Sequence, residues 1–217
     1  MRLLTSPMPV APNPRVVRMV MAEKRIDLDV VNVDIMSGEN RRPPFLALNP
    51  TGEVPALELD DGRVLAESVA IAEYLDELRP DPPLIGTTPE ERALTRMWTR
   101  RVDFKVAQPL TAAFRAAEGL PLFRDRVRCL PQAADELKAT VREGVAWLDE
   151  QLGDRTFLTG AQVRLPDILL YCFLEFGAQV AQPPPPHCER IAAWRTRMAS
   201  RPSAQVADPA KPAVAQA

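Results

Sequence analysis

Two residue pairs in this chain, Val54-Pro55 and Glu67-Ser68, have the types and spacing to do chemistry together, and both lie in the stretch NPTGEVPALELDDGRVLAESVAIAEY from Asn49 to Tyr74. X-Pro bonds are the only ones that adopt cis cheaply, and a cis Val54-Pro55 would aim the Val54 N–H and C=O outward. Glu67-Ser68 precedes Val69, Ile71, Ala72, Leu75 and Leu78, whose spacing is helical, so Ser68 stands at a helix N-terminus. Unpaired N–H groups and the helix dipole there favour a carboxylate.

The elements that must hold these pairs are legible around them. Ala56 to Leu59 and Val64 to Ala66 flank Asp60-Asp61-Gly62, a turn that needs a positive φ and hence a glycine, and read as a β-hairpin. Upstream, Arg2 to Ser6 and Asp29 to Val33 read as strands around a helix carrying Val16, Val17, Val20 and Met21. Asn13 before Pro14 suits an N-cap followed by proline at the first helical position, so this helix is predicted to begin at Pro14. The result is β-α-β followed by β-β-α: a small mixed sheet with helices, spanning residues 1–80. Residues 81–88 read as a proline-rich linker, and residues 89–204 as an all-helical domain. Its first helix has Thr88 as cap, Pro89 at the first position and Glu91 at the third, and Pro109 should kink the helical pattern it falls within. Residues 205–217 read as a disordered Ala/Pro tail.

Composition narrows the class. The chain has 217 residues, a net charge of −2 and 46% hydrophobic content, without an apolar run long enough to span a bilayer. A soluble, cytoplasmic protein is expected, because Met1 to Ser6 reads as a strand rather than a secretory signal. Residues 1–80 hold 9 basic and 13 acidic side chains and the remainder 18 and 16, which does not suit a nucleic-acid binder. Arg92, Arg96 and Arg100 form a ladder read as a solvated helix face. Cys129, Cys172 and Cys188 are odd in number and lack a Cys-x-x-Cys, so neither a disulfide framework nor a zinc knuckle is expected. The single histidine, His187, follows four prolines, and no metal is expected.

NPTGEVPAL followed by LAESVAIAEYL, with GENRRPPFL before them, WTRRVDF after them and PNPRVVRMVMAEK near the start, resembles the soluble glutathione S-transferases over residues 1–204. The pattern is most similar to bacterial and fungal members. The resemblance implies a thioredoxin-like α/β N-terminal domain followed by an all-α domain, a homodimer, and glutathione as co-substrate with a small hydrophobic electrophile. It implies that Val54 meets the cysteinyl part of glutathione through its backbone, that Pro55 is the cis proline permitting this, and that Glu67 faces the γ-glutamyl ammonium. Ser68 then holds the γ-glutamyl carboxylate, and Arg41, in preference to Arg42, lies near the glycyl carboxylate.

The sulfur end departs from the common pattern. Conjugation needs a thiolate, while a free thiol near pKa 8.5 is mostly protonated at neutral pH. Most of the family places a Tyr, Ser or Cys close to the start of helix one; here the serine slot holds Ala11 and the cysteine slot Val10. Ser6, Thr5 and Asn13 remain as candidates, Asn13 being best placed as a cap whose neighbouring N–H groups could face the sulfur. The resemblance to fungal members implies a role for that helix terminus with a water held by the second domain; the matching segment here, Phe114 to Glu118, lacks their histidine and offers Arg115. Met8, Phe104, Phe114 and Arg115 are the candidates for the second-substrate pocket, and by the same resemblance Asp103 stands where some classes of the family place a carboxylate that reaches a neighbouring subunit's glutathione. The alternative is a binding protein that keeps the fold without turnover. One further departure is Arg164, which stands where the late helix of the family has a Ser or Thr cap; by that reading, Arg164→Ser should raise the melting temperature.

Overall fold

The computed structural model describes residues 1–9 and 11–206. The chain divides into two units, Met1–Leu84 with the residues from Arg201 onward, and Ile85–Ser200.

In the first unit, β1 (Arg2–Thr5), β2 (Asp29–Asn32), β3 (Ala56–Glu58) and β4 (Val64–Ala66) form a four-stranded sheet of order β2-β1-β3-β4. β1 pairs β2 in parallel and β3 antiparallel, and β3 pairs β4 antiparallel around Gly62, which takes φ 84°. Side chains alternate across a strand. Leu3 opposite Leu57 therefore points to one face and Leu4 opposite Ala56 to the other, where Leu4 and Ala56 pack with Val33 and with Phe45 of the short helix α2 (Phe45–Leu48). α1 (Pro12–Lys24) and α3 (Ser68–Leu78) pack against each other, burying Val16, Val17, Met19, Val20, Ile71, Ala72 and Leu75.

The second unit comprises α4 (Pro89–Val102), a π-helical turn over Asp103–Ala107, α5 (Gln108–Ala116), the short α6 (Leu120–Phe123), α7 (Ala134–Leu152), α8 (Leu165–Gln179) and α9 (Glu189–Ala199). α8 is its centre, buried continuously from Leu165 to Leu174. α4 starts as the sequence dictates: the Thr88 hydroxyl accepts the Glu91 N–H at 3.2 Å. The π turn stands just before Pro109, which has no N–H and so cannot donate to the Lys105 carbonyl four residues back. Gly144 of α7 fits against that carbonyl so closely that a Cβ would stand 2.1 Å from the oxygen, which is why α7 carries a glycine mid-helix. No described helix is long and apolar enough to cross a membrane.

The structure corrects two expectations. α1 begins at Pro12, with Ala11 as its N-cap, so Asn13 is the second helical residue and not a cap. The chain also turns back into helix at its end: α10 (Pro202–Val206) takes in Gln205 and Val206, the first two residues expected to be disordered, while residues 207–217 lie outside the described residues. α10 rests on α1, where Arg201 grips the Glu23 carboxylate at 2.7 and 2.9 Å, Ser203 donates to it at 2.5 Å, and the Ala204 carbonyl lies 3.5 Å from the Arg15 guanidinium. Burial pushes the Glu23 carboxyl up, but the hydrogen bonds from Arg201 and Ser203 and the charges of Arg201 and Lys24 hold it below the usual value. A carboxylate so depressed stabilises the fold above its unfolded pKa and loses that contribution as pH falls through the folded one. Arg201→Ala should therefore cost about 2 kcal/mol near neutrality. The cost should shrink as denaturation is followed from pH 6 down through the carboxylate range; a pH-independent difference would contradict this assignment.

The structure also reverses the expectation for Arg164. Asp167 accepts the Arg164 N–H at 3.1 Å, which is the carboxylate half of a capping box, and the Asp167 N–H is already taken by the Arg164 carbonyl at 3.0 Å. The Arg164 side chain is nearly buried, 3.7 Å from Glu91. Serine would add little as a cap and would forfeit that packing and charge contact, so Arg164→Ser should lower the melting temperature by a few degrees, on the order of 1 kcal/mol. Calorimetry decides the sign.

Candidate functional site

The loop before β3 is built to fix Val54. The buried Asn49 donates from its amide to the Glu53 carbonyl at 2.8 Å and accepts from Thr51, closing an Asx turn. The buried Asn40 donates to the Gly52 carbonyl at 2.6 Å. Gly52 takes φ 65°, and a Cβ there would lie 2.9 Å from the Asn40 carbonyl, so only glycine lets the loop close. Beyond it the Val54-Pro55 bond is cis. The Val54 side chain packs on the Leu4, Val33, Phe45 and Ala56 cluster, and among the described residues its N–H and C=O meet no other backbone group. Sequence reading missed Asn40 and Asn49 as the residues that set this edge, although NPTG carried the turn chemistry of the second.

Arg41 is held on the same loop, donating to the Thr51 carbonyl at 3.1 Å and pairing with Glu53 at 2.8 Å, whereas Arg42 reaches back to Gly38. Between Arg41 and Arg42, it is Arg41 that lies beside the Val54 edge.

Glu67 takes φ 68° and ψ 117°, a backbone state that costs an L residue about 1–3 kcal/mol, and its side chain is exposed. α3 starts directly after it. The Glu67 carbonyl accepts the Ile71 N–H, so the N–H groups of Ser68, Val69 and Ala70 have no partner within the helix. Ser68 is buried, and its hydroxyl donates to the Asn13 Oδ1 at 2.7 Å. That contact joins the first turns of α1 and α3.

The first turn of α1 is poor in donors. Pro12 and Pro14 have no N–H, and the Arg15 N–H is spent on the Ala11 carbonyl at 3.2 Å, which among the described residues leaves the Asn13 N–H as the donor of that turn. Ala11 itself donates to the Met8 carbonyl at 3.2 Å. Ser6 is fully buried; its hydroxyl accepts the Met8 N–H at 3.2 Å and its carbonyl accepts from Arg18 at 2.9 Å, so it shapes the loop from inside. Thr5 is likewise buried, and Met8 is half-buried; Val10 lies outside the described residues.

In the helical unit, Phe114 stands edge-on to Phe123 and Phe176 with centroids at 5.9 and 5.0 Å, and Arg115 lies over Phe123 at 5.1 Å. Phe104 is elsewhere in that unit. It is 60% exposed beneath the Arg100 guanidinium, in an open groove of about 770 Å³ shared with Met97, Arg101, Lys105 and Trp147. Asp103 is engaged locally by Arg100 at 2.7 Å and Gln108 at 3.3 Å. In the arginine ladder, Arg92 bonds the Gly86 carbonyl. Among the described residues, no group of three or more His, Cys, Asp or Glu could hold a metal ion. Burial and the Asp149 charge push the Cys188 thiol up, away from reactivity.

Two family models match the chain, the glutathione S-transferase N-terminal domain over residues 11–78 and the glutathione S-transferase C-terminal domain over residues 111–202. Glutathione S-transferase 2 of Saccharomyces cerevisiae is 35% identical over 202 residues, covering 90% of this chain and 84% of its own. The crystal structure of Gtt2 from Saccharomyces cerevisiae superposes with a TM-score of 0.88 at 32% identity, covering 95% of this chain and 100% of its own. A glutathione S-transferase domain-containing protein of Marinobacter aquaeolei VT8 gives the same TM-score at 36% identity, covering 94% and 99%.

Proposed function

The chain belongs to the glutathione S-transferase family, and we propose that it is a glutathione-dependent transferase that steadies the glutathione thiolate for attack on a small hydrophobic electrophile. The observation that carries this reading is the pairing of an α3 N-terminus, presenting Ser68 and unspent N–H groups, with an exposed Glu67 carboxylate held in a strained backbone state. The amine and the acid of a γ-glutamyl group need partners of those two kinds. The Val54 N–H and C=O, which meet no other backbone group among the described residues, would pair with an extended cysteinyl backbone as neighbouring strands pair. Arg41, beside them, supplies positive charge for the glycyl carboxylate.

At the sulfur end, the group this chain offers is the Asn13 N–H at the head of the α1 dipole. One N–H with half a helix charge is a modest device, so the thiol of bound glutathione should titrate below its free value. Following thiolate absorbance across pH tests this; a bound thiol that titrates like free glutathione would favour a non-catalytic binding protein. Met8, Phe114 and Arg115 remain the proposed contacts to the electrophile, with Phe104 as a candidate in its separate groove. The working assembly is proposed to be a homodimer.

Recognition itself is tested by Glu67→Ala combined with Ser68→Ala. Losing two charge-assisted contacts should weaken glutathione binding by roughly 100-fold or more and abolish retention on immobilised glutathione. A double variant that is still retained would sink the site assignment.

A further inference from the structure

We infer that the Asn13 side chain is a positioning residue for the γ-glutamyl carboxylate, acting through Ser68, and takes no part at the sulfur; this rests on the glutathione-site reading above. A single proton is at stake. A serine hydroxyl has one O–H, and a carboxylate is an acceptor only. The Ser68 hydroxyl spends that proton on the Asn13 Oδ1 at 2.7 Å. A ligand carboxylate arriving at the α3 N-terminus needs the same proton, so Ser68 must release Asn13 to bind it.

Asn13 is suited to that exchange. Its amide carries an acceptor and a donor related by a half-turn, and among the described residues nothing else bonds to it. After the half-turn its Nδ2–H donates to the Ser68 Oγ, while the Ser68 O–H points to the ligand. Both hydroxyl lone-pair and proton requirements are then met, and the donated bond makes Ser68 a better donor. Alanine at position 13 would leave Ser68 undirected. Aspartate would hold the proton permanently and set a second negative charge beside the carboxylate seat. The backbone N–H of Asn13 is unaffected by either change, which separates the two ends of the ligand within one residue.

Calorimetric Kd values would be measured for wild type, Asn13→Ala, Asn13→Asp, Ser68→Ala and the Asn13→Ala/Ser68→Ala pair. The two ligands are glutathione and an analogue whose γ-glutamyl carboxylate is amidated. Thiolate absorbance would be followed in parallel. Asn13→Ala is expected to weaken glutathione roughly tenfold, to leave the amidated analogue nearly unchanged, and to add little once Ser68 is alanine. Asn13→Asp should cost more, and only for the charged ligand. The pKa of the bound thiol should not move in Asn13→Ala. Equal losses for both ligands, additive effects in the pair, or a thiol pKa that rises while Kd stays put would each overturn the inference. A wild-type protein without measurable affinity for glutathione would overturn the reading beneath it as well, and is the outcome that distinguishes the two failures.

Discussion

Asp167→Ala should destabilise the helical unit by on the order of 4 kcal/mol, read as a lower denaturant midpoint at unchanged slope. The carboxylate is fully buried and serves three separate chain segments. Its Oδ1 accepts the Leu158 N–H at 2.9 Å and the Trp194 indole N–H at 3.0 Å, and its Oδ2 accepts the Arg164 N–H at 3.1 Å. Alanine would strand donors from the loop before α8, from the α8 cap and from α9, each buried donor costing about 1–3 kcal/mol when left unmade. Asp167→Asn separates this from a pure volume effect. An amide oxygen in the Oδ1 position keeps two of the three bonds and sets an NH₂ against the Arg164 N–H, so the loss should be about half as large. If the two variants cost the same, Asp167 matters as a charge and not as a junction of hydrogen bonds.

Much of this architecture is legible in the residues because local rules agree with one another. The hairpin around Asp60-Asp61-Gly62, the Thr88 cap and the Ser68 helix start each rest on short-range chemistry that a sequence displays directly. The start of α1 misleads for a physical reason. Asn13 followed by proline is a strong capping pattern, but Pro12 also sits at a legal first position, and the helix takes the earlier proline, which frees the asparagine side chain to cross to Ser68. No local signal could have disclosed that contact, which joins residues 55 positions apart. The Glu23 and Arg201 clamp is hidden for the same reason, 178 positions separating its partners. At the sulfur end, the proline pair hides a further consequence: by removing two of the first N–H groups of α1, it concentrates what that helix offers an anion onto Asn13.

Lys24→Met is the second large effect, expected at about 3–5 kcal/mol, because it removes one partner of a buried ion pair and leaves the other charge in place. The Lys24 ammonium is fully enclosed, bound to the Asp76 carboxylate, to the Arg79 carbonyl at 2.7 Å and to the Pro82 carbonyl. Asp76 in turn accepts the Leu84 N–H at 2.7 Å, so the pair also anchors the chain as it leaves the first unit. Methionine keeps most of the stem volume, which assigns the loss to charge and hydrogen bonding instead of packing. Replacing both residues, Lys24→Met with Asp76→Leu, should cost far less than the sum of the single changes, since no uncompensated charge then remains. The functional consequence comes from where the pair sits. Lys24 and Asp76 join the C-terminal parts of α1 and α3, and Asn13 and Ser68 join their first turns, so the two helices are pinned alongside each other at both ends. Releasing one end should loosen the other. Lys24→Met is therefore expected to weaken glutathione binding severalfold at a temperature where the variant is still folded, although Lys24 lies at the opposite end of α1 from Asn13. A variant that loses stability while keeping wild-type affinity would show that the Asn13 and Ser68 junction holds its geometry without help from the far end.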